Sequence, residues 1–208
     1  MPRPLSLHAD RLLPTDPTVR SIARALFNQV EHLPLVSPHG HTDPSWFAGN
    51  APFGNATELL LQPDHYLFRM LYSQGISLDA LGIRNRDADP RAAWRLLAEN
   101  YHLFRGTPSR LWCDWVFTQI FGLDVQLEAA TSDLYFDSIT QALTTDAFRP
   151  RALFERFNIE VIATTESPLD TLEHHAALAK SGWHGRVITA YRPDPGVDPE
   201  SEGLWDNI

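Results

Sequence analysis

The 208-residue sequence has a single cysteine, Cys113. One cysteine cannot form an internal disulfide or a cysteine-based zinc site, so the small disulfide-stabilised domains of secreted proteins are excluded. No stretch approaches the ~20 consecutive apolar residues that a transmembrane helix needs, and the N-terminal segment lacks the apolar core of a signal peptide. The sequence therefore predicts a cytoplasmic protein that does not associate with a membrane.

Positive charge is also scarce. Lysine and arginine together number 17, against 26 aspartate and glutamate residues, which gives a formal net charge of −9. An acidic chain without a block of basic residues is a poor match for nucleic acid or for an anionic membrane surface. Because 43% of the residues are apolar, the chain can still build a core. We expect a globular protein whose partner is not a nucleic acid.

The apolar pattern divides the chain into three segments, of which the first is 1–44. Apolar residues spaced three and four apart predict an amphipathic helix over Thr18–Glu31. A short apolar run that follows it predicts a brief buried strand over Leu33–Ser37. This segment therefore supplies a helix and then a strand.

The second segment, 45–157, has helical periodicity almost throughout. One helix is predicted over Arg91–Phe104, directly after Pro90, and another begins at the capping pair Thr107–Pro108. The tryptophan-rich stretch Trp112–Trp115 is expected to be core. We interpret this segment as an all-helical block.

The third segment, 158–208, returns to strands. Its predicted elements are a strand over Ile159–Thr164, a helix over Leu169–Lys180, a second strand over Arg186–Tyr191, a loop over Pro193–Gly203 and a helix that begins at Leu204. A strand, a helix and a strand in succession form a βαβ unit, whose strands are parallel. His174 and His175 are adjacent within the helix and point about 100° apart, so we expect them to be surface or packing residues.

Two histidines follow the first predicted strand, in His39-Gly40-His41. Residues two apart in an extended segment point to the same side, so both imidazoles can reach one metal ion. The carboxyl end of a buried strand is also where parallel α/β barrels place their active sites. The alternative is a pair of turn histidines bonded to backbone carbonyls, and the spacing alone does not decide between the two.

A second group of reactive side chains comprises His65, Tyr66 and Arg69. On a helix Arg69 lies one turn from both of the others, which combines an acid/base group, a phenol and a guanidinium. The residues alone favour a plainer account, in which Asp64 caps a helix, Tyr66 packs and Arg69 is solvated.

Arg192 follows the last predicted strand, and Pro193 holds it in an extended conformation. An arginine placed there suits a bidentate grip on a carboxylate. It could equally pair with Asp194 or Asp198 in the loop. At the end of the preceding strand, Thr164–Glu166 either lines a pocket or caps the helix that follows.

Taken together, four stretches resemble uronate isomerase, also called glucuronate isomerase, a family of the amidohydrolase superfamily of metal-dependent barrels. They are Ser37–Asp43, Asp64–Arg69 with Gly75 and Ile76, Ala163–Asp170 with 172–175, and Ala190–Asp194. Their order and spacing match the family across most of the chain. Glu166 departs from the pattern, since the family more often has aspartate there.

The resemblance implies an α/β fold that forms the N-terminal portion of a (β/α)8 TIM-like barrel, with the helical block inserted after the first strand. It also implies isomerisation of a uronic acid, D-glucuronate to D-fructuronate and D-galacturonate to D-tagaturonate. On this hypothesis His39 and His41 bind a divalent metal ion, for which we expect zinc, and His65 or Tyr66 moves the proton. The substrate carboxylate is bound by Arg192 with Arg69.

Two alternatives remain at this point. One is a metal-dependent hydrolase, which would share the histidine pair. The other is an inactive fragment or binding module, because a complete barrel uses ~250 residues before insertions and we count only three barrel strands. The superfamily's remaining metal ligand, an aspartate on the last strand, is expected beyond Ile208, so we expect the isolated chain to be inactive. The sequence leaves a homo-oligomer open.

Overall fold

The computed structural model describes residues 2–200 and shows an α/β protein with a small parallel sheet. These residues form two compact units, one comprising 2–23 and 52–148 and the other 24–51 and 149–200. Over the described range, no helix is both long and apolar enough to cross a membrane. The helix predicted from Leu204 lies outside the described residues.

Three strands are interspersed among the helices, in an order close to the predicted one. The α-helices are α1 (Pro17–Val30), α2 (Pro44–Gly49), α3 (His65–Ser73), α4 (Pro90–Asn100), α5 (Pro108–Trp115), α6 (Ser132–Leu143), α7 (Pro150–Arg156), α8 (Glu173–Lys180) and α9 (Asp194–Val197). The strands are β1 (Leu35–Ser37), β2 (Ile159–Glu166) and β3 (Arg186–Tyr191). Single turns of 3-10 helix lie at Tyr101–Phe104, Ala129–Thr131 and Asp146–Phe148, and π-helical turns lie at Thr57–Leu61 and Val116–Ile120.

Four of the helices begin with the same local device. The side chains of four residues accept a hydrogen bond from a backbone N–H in the first turn, namely Asp43, Asp64, Asp89 and Thr107. In three of the four, proline follows at once, where its fixed φ suits the helix and its missing N–H costs nothing. The beginnings of α2, α3, α4 and α5 are therefore encoded within a few residues of sequence.

The helical unit is held together by an aromatic core. Trp94 of α4, Phe117 and Tyr135 of α6 are almost completely buried. Phe117 lies edge-on to Tyr135 with ring centroids 4.9 Å apart, and Trp94 lies edge-on to Phe117 at 6.3 Å. Such pairs add to the large area that buried aromatic side chains remove from water. The Tyr135 hydroxyl donates to the Val125 carbonyl, so the polar end of this ring is satisfied inside the core.

The sheet unit has the order β1-β2-β3, with both pairs parallel. The βαβ arrangement predicted for the third segment is thereby confirmed. A second core cluster lies against this sheet, where Phe47 of α2 contacts Phe154 of α7 and Trp183. The Arg151 side chain donates to the carbonyls of Phe47 and Ala48, at 2.8 and 3.2 Å. These contacts fix the short helix that follows the histidine pair.

Burial departs from the predictions at three places. The first strand is exposed rather than buried, since Leu35 and Val36 are 54% and 59% exposed. The amphipathic helix α1 forms, yet none of its residues is buried. The Trp112–Trp115 stretch was predicted to be core, but Trp112 is 49% exposed while the adjacent Cys113 is buried. Consecutive helical positions point about 100° apart, so one stretch cannot bury every side chain.

Three boundaries also differ from the predictions. The helix expected over Arg91–Phe104 ends at Asn100 and continues as a 3-10 turn. α8 begins at Glu173 rather than Leu169, because the Asp170 side chain accepts a hydrogen bond from the Leu172 N–H, a local turn that competes with helix. The predicted loop over Pro193–Gly203 contains the short helix α9.

Candidate functional site

The histidine pair lies in the loop between β1 and α2. The rings of His39 and His41 have centroids 5.1 Å apart and nearly perpendicular planes, and both residues are exposed. Two imidazole nitrogens bound to one tetrahedral zinc place the ring centroids about 5 Å apart, given Zn–N distances of about 2.0–2.1 Å. The observed spacing therefore suits a shared ion, as the metal hypothesis requires.

The pair supplies only part of a ligand set. Among residues 2–200, no group of three or more histidine, cysteine, aspartate or glutamate side chains is placed to hold a metal ion. Catalytic zinc sites use three protein ligands and leave the fourth position for water or substrate. The donor type of His39 and His41 thus fits a divalent ion, and among residues 2–200 the pair supplies two of the three protein ligands that such a site uses.

Contacts on both sides of the pair position this loop. The Thr165 hydroxyl, near the end of β2, donates to the Gly40 carbonyl at 2.8 Å. On the far side, the Asp43 carboxylate accepts from the Ser45 N–H at 2.8 Å and begins α2. The carbonyl of Gly40, the residue between the two histidines, is therefore bonded to the sheet, and the chain after the pair begins a capped helix.

His65, Tyr66 and Arg69 lie in the first turns of α3, in the helical unit. The rings of His65 and Tyr66 have centroids 4.2 Å apart, and Tyr66 is 67% exposed. Asp64 caps the helix, as the plainer account predicted, by accepting from the N–H groups of Tyr66 and Leu67 at 2.9 and 3.2 Å. That account is wrong in packing Tyr66, whose side chain reaches solvent.

A surface depression of about 490 Å³ adjoins this helix. It is lined by Tyr66, Met70 and Phe104 together with Thr107, Pro108 and Ser109. The phenol of Tyr66 is thus beside a depression in its own unit that a small molecule could enter.

Arg192 follows β3 in the sheet unit. Its Nε donates to Asp194 Oδ2 at 3.0 Å, the local pairing that the sequence left open. The two side chains are 54% and 53% exposed, and an exposed ion pair contributes only about 0–1 kcal/mol. The pair is therefore a weak contribution to the stability of this loop. Because β1, β2 and β3 are parallel, Arg192 and the histidine loop follow the same edge of the sheet.

A polar network that the sequence did not predict lies between β2 and α8. The buried Thr164 hydroxyl is 2.9 Å from His175 Nε2 and donates to the Ile188 carbonyl at 3.1 Å. Glu166, with its side chain 8% exposed, lies 3.9 Å from His175 Nε2 and accepts from Thr189. His175 is thus a packing residue, as expected, but it packs through polar contacts. The signal for it was the repetition of polar residues two apart on one strand.

The fold and the position of the histidine pair define a class, that of α/β proteins with candidate metal ligands at the carboxyl edge of a parallel sheet. The sequence profile of the glucuronate isomerase family matches residues 15–208. The chain therefore belongs to the glucuronate isomerase family, and the resemblance noted in its four sequence stretches is confirmed.

Individual relatives agree with this assignment. A uronate isomerase of Sphingopyxis alaskensis is 72% identical over 100% of this chain, which corresponds to 45% of that relative. The crystal structure of a glucuronate isomerase from Caulobacter crescentus is 63% identical, with a TM-score of 0.95 over 98% of this chain and 43% of its own. A uronate isomerase from Thermotoga maritima superimposes with a TM-score of 0.86 at 25% identity. The chain spans less than half the length of the relatives it matches.

Proposed function

We propose that this protein is a uronate isomerase, which interconverts D-glucuronate and D-fructuronate, and D-galacturonate and D-tagaturonate. The observation that carries the proposal is the imidazole pair at the carboxyl end of β1, with ring centroids 5.1 Å apart, in a chain of the glucuronate isomerase family. The reaction moves a proton from C2 to C1 of the open-chain sugar through an enediolate. It requires stabilised negative charge, a proton-transfer group and an anchor for the distal carboxylate.

His39 and His41 would hold the metal ion of this site, for which we propose zinc. When bound, a divalent ion supplies Lewis-acid stabilisation of the charge that develops on the C1 and C2 oxygens. The contribution of this chain is to restrain the backbone that carries the two histidines, through the Thr165 hydrogen bond to Gly40 and the Asp43 cap. Ligands that are already in place reduce the ordering cost of binding.

His65 and Tyr66 are the groups we propose for moving the proton. Their rings are adjacent, at a centroid distance of 4.2 Å, and Tyr66 is 67% exposed, so neither ring is enclosed in the core of its own unit. An imidazole can act both as a general base and as a general acid, so it can take and return a proton. The Asp64 cap fixes the first turn of α3 and hence the backbone of both residues.

Arg192 and Arg69 are the residues we propose for the substrate carboxylate. A guanidinium binds a carboxylate through two parallel hydrogen bonds, which orients the ligand as well as holding it. The pair that Arg192 makes with Asp194 supports this role, since it shows that the guanidinium is placed to bind a carboxylate at the solvent-exposed end of β3. Anchoring the far end of the sugar positions C1 and C2 for proton transfer.

We further propose that the chain forms the N-terminal portion of a (β/α)8 barrel, with segments 1–44 and 158–208 in the barrel and 45–157 as a helical insertion. The parallel order β1-β2-β3 supports this, as does the position of α3–α6 between β1 and β2 in the chain. The greater length of the relatives also supports it, because it provides room for further strands. A homo-oligomer is compatible with this proposal, and light scattering of the purified protein measures it.

The test uses the protein as its gene encodes it. We expect ketose formation from D-glucuronate or D-galacturonate, followed by NMR in D2O, where proton transfer at C2 is visible as solvent exchange. R192A should raise KM for uronates strongly, with R186A as a matched control on an exposed arginine at the beginning of β3. Hydrolysis of an ester or amide without uronate turnover would favour the hydrolase instead, and an unchanged KM in R192A would remove this residue from the site.

The metal assignment has its own test. H39A and H41A should lose bound metal, measured by elemental analysis of the purified protein, together with turnover. H184A, which removes an exposed histidine outside the loop, serves as the control and should retain both. Unchanged metal content in H39A and H41A would refute the assignment.

A further inference from the structure

The loop that carries the histidine pair leaves the sheet before the histidines are reached. Backbone pairing between β1 and β2 ends at Ser37 and Ile162. Three residues further along each strand are Gly40 and Thr165, and here the Thr165 hydroxyl donates to the Gly40 carbonyl at 2.8 Å. Up to Ser37 the two segments are joined by backbone hydrogen bonds. Beyond it, at the same offset between the segments, they are joined by the Thr165 side chain.

Thr165 is itself held firmly. Its Cα pairs with that of Ala190 in the ladder between β2 and β3, and the residues on either side of it pair as well, Thr164 with Thr189 and Glu166 with Tyr191. The donor of the hydrogen bond is thus fixed to a paired strand, while the acceptor belongs to an irregular loop. The position of the strand therefore determines the position of the Gly40 carbonyl in the loop.

The end of β2 has three consecutive polar residues, Thr164–Glu166, and the side chain of the middle one is hydrogen-bonded to the histidine loop. Side chains alternate between the two faces of a sheet. Thr164 and Glu166 contact His175 and Thr189, whereas Thr165 contacts Gly40. Thr164 and Glu166 pack between the sheet and α8, so a substitution of Thr165 can be studied without removing their contacts.

The Gly40 peptide also lies close against β2. A Cβ built on Gly40 would be 3.5 Å from the Ala163 carbonyl oxygen, an ordinary van der Waals contact. The hydrogen bond acts on the Gly40–His41 peptide, whose oxygen is the acceptor, and the close approach is at the Gly40 Cα. Both contacts therefore restrain the backbone of the one residue that joins His39 to His41.

We propose that Thr165 is a positioning residue for the metal site: its hydroxyl holds the Gly40 peptide, so the affinity of the His39–His41 pair for a divalent cation depends on a side chain that binds neither histidine ring. This proposal rests on the metal site of the proposed function. Loss of an outer partner that orients metal ligands typically lowers metal affinity by about 10–100-fold. Because Thr165 acts through the backbone, we expect the lower end of that range.

The experiment compares T165S, which retains the hydroxyl, with T165A and T165V, which lack it. The probe is Zn²⁺ alone, titrated into metal-free full-length protein in competition with a chromophoric chelator. We expect T165A and T165V to bind zinc about tenfold more weakly, and T165S to bind as the unsubstituted protein does. T189V removes a threonine hydroxyl from the adjacent strand that does not contact the loop, and it should leave the affinity unchanged.

Equal zinc affinity in T165S and T165A would overturn the proposal, since these two variants differ by the hydroxyl alone. Urea unfolding of each variant checks the fold, and the comparison of serine with alanine remains decisive if valine disturbs the strand. H39A and H41A separate the two levels of the argument. If they lose zinc while T165A does not, the positioning role is wrong and the metal site stands; if they bind zinc normally, the metal site itself is refuted.

Discussion

The cap of α3 gives a prediction that can be worked quantitatively. Asp64 accepts hydrogen bonds from the N–H groups of Tyr66 and Leu67 at 2.9 and 3.2 Å, and alanine would leave both without this partner. Replacing an N-cap aspartate by alanine costs about 0.5–2 kcal/mol. This figure contains the benefit of a negative charge near the helix N-terminus, about 0.3–1 kcal/mol at low salt. We therefore expect D64A to lower the free energy of unfolding by about 1 kcal/mol.

Two further variants divide this cost into its parts. D64S keeps a capping oxygen and removes the charge, so it should lose only the electrostatic part, and salt should reduce that loss. D87A removes an exposed aspartate from a turn rather than from a helix cap, and should be neutral within about 0.5 kcal/mol. Stability is measured by urea unfolding followed through tryptophan fluorescence, at low and high salt.

The outcome that would refute the reasoning is specific. If D64A and D64S were equally destabilised, the hydrogen bonds to the first turn would contribute nothing, and Asp64 would act by charge alone. If D64A were as stable as D87A, the cap would have no energetic role. An effect well above 2 kcal/mol would also contradict the argument, because it exceeds what an N-cap supplies.

Three further predictions concern the helical unit. L71A removes a completely buried side chain and should cost about 2–5 kcal/mol in urea unfolding; a neutral effect would contradict its burial. Burial raises the pKa of the Cys113 thiol to about 12, so at pH 8 it should react with a thiol reagent far more slowly in the folded chain than in urea, and equal rates would contradict this. Hydrogen bonds from Arg95 and Arg91 lower the pKa of Asp133. The stability that the Asp133 carboxylate contributes is therefore present above its unfolded pKa of about 4 and is lost as pH falls through its folded pKa. The difference in urea midpoint between D133N and the unsubstituted chain should narrow from pH 7 to pH 3, and a constant difference would contradict the pairing of Asp133 with these arginines.

The elements that the sequence predicted well are those whose signals are local. Thr107–Pro108 caps α5 as expected, because an N-cap acts within three residues of itself. The parallel pairing of β2 with β3 follows from β-branched runs on either side of a helix and from the rules of βαβ crossovers. These features need no knowledge of what packs against them.

Burial was harder to predict because it depends on neighbours distant in the chain. The apolar stripe of α1 correctly predicted a helix, yet its residues are not buried. Trp112 was expected to be core from its type and is 49% exposed. An apolar pattern indicates that one face of a helix can be buried. Whether that face is buried depends on which element packs against it.

The candidate site shows the same division between local and distant information. The histidine pair was found because both residues lie within one tripeptide at a strand end. The contact that positions them joins Thr165 to Gly40 across 125 positions in sequence, and only the pairing register of β1 with β2 brings the two together. A resemblance to a family can indicate which residues bind a metal ion, but the partner that orients them has to be found from the structure.

The end of β2 separates stability from site geometry by strand alternation. Thr164 and Glu166 contact His175 between the sheet and α8. Substituting either residue should therefore disturb this packing and lower the free energy of unfolding. Thr165 lies between them in sequence and contacts the histidine loop, so its substitution should act first on metal affinity. Neighbouring positions of one strand can thus be changed with different consequences, and the alternation of side chains assigns each position to one of the two effects.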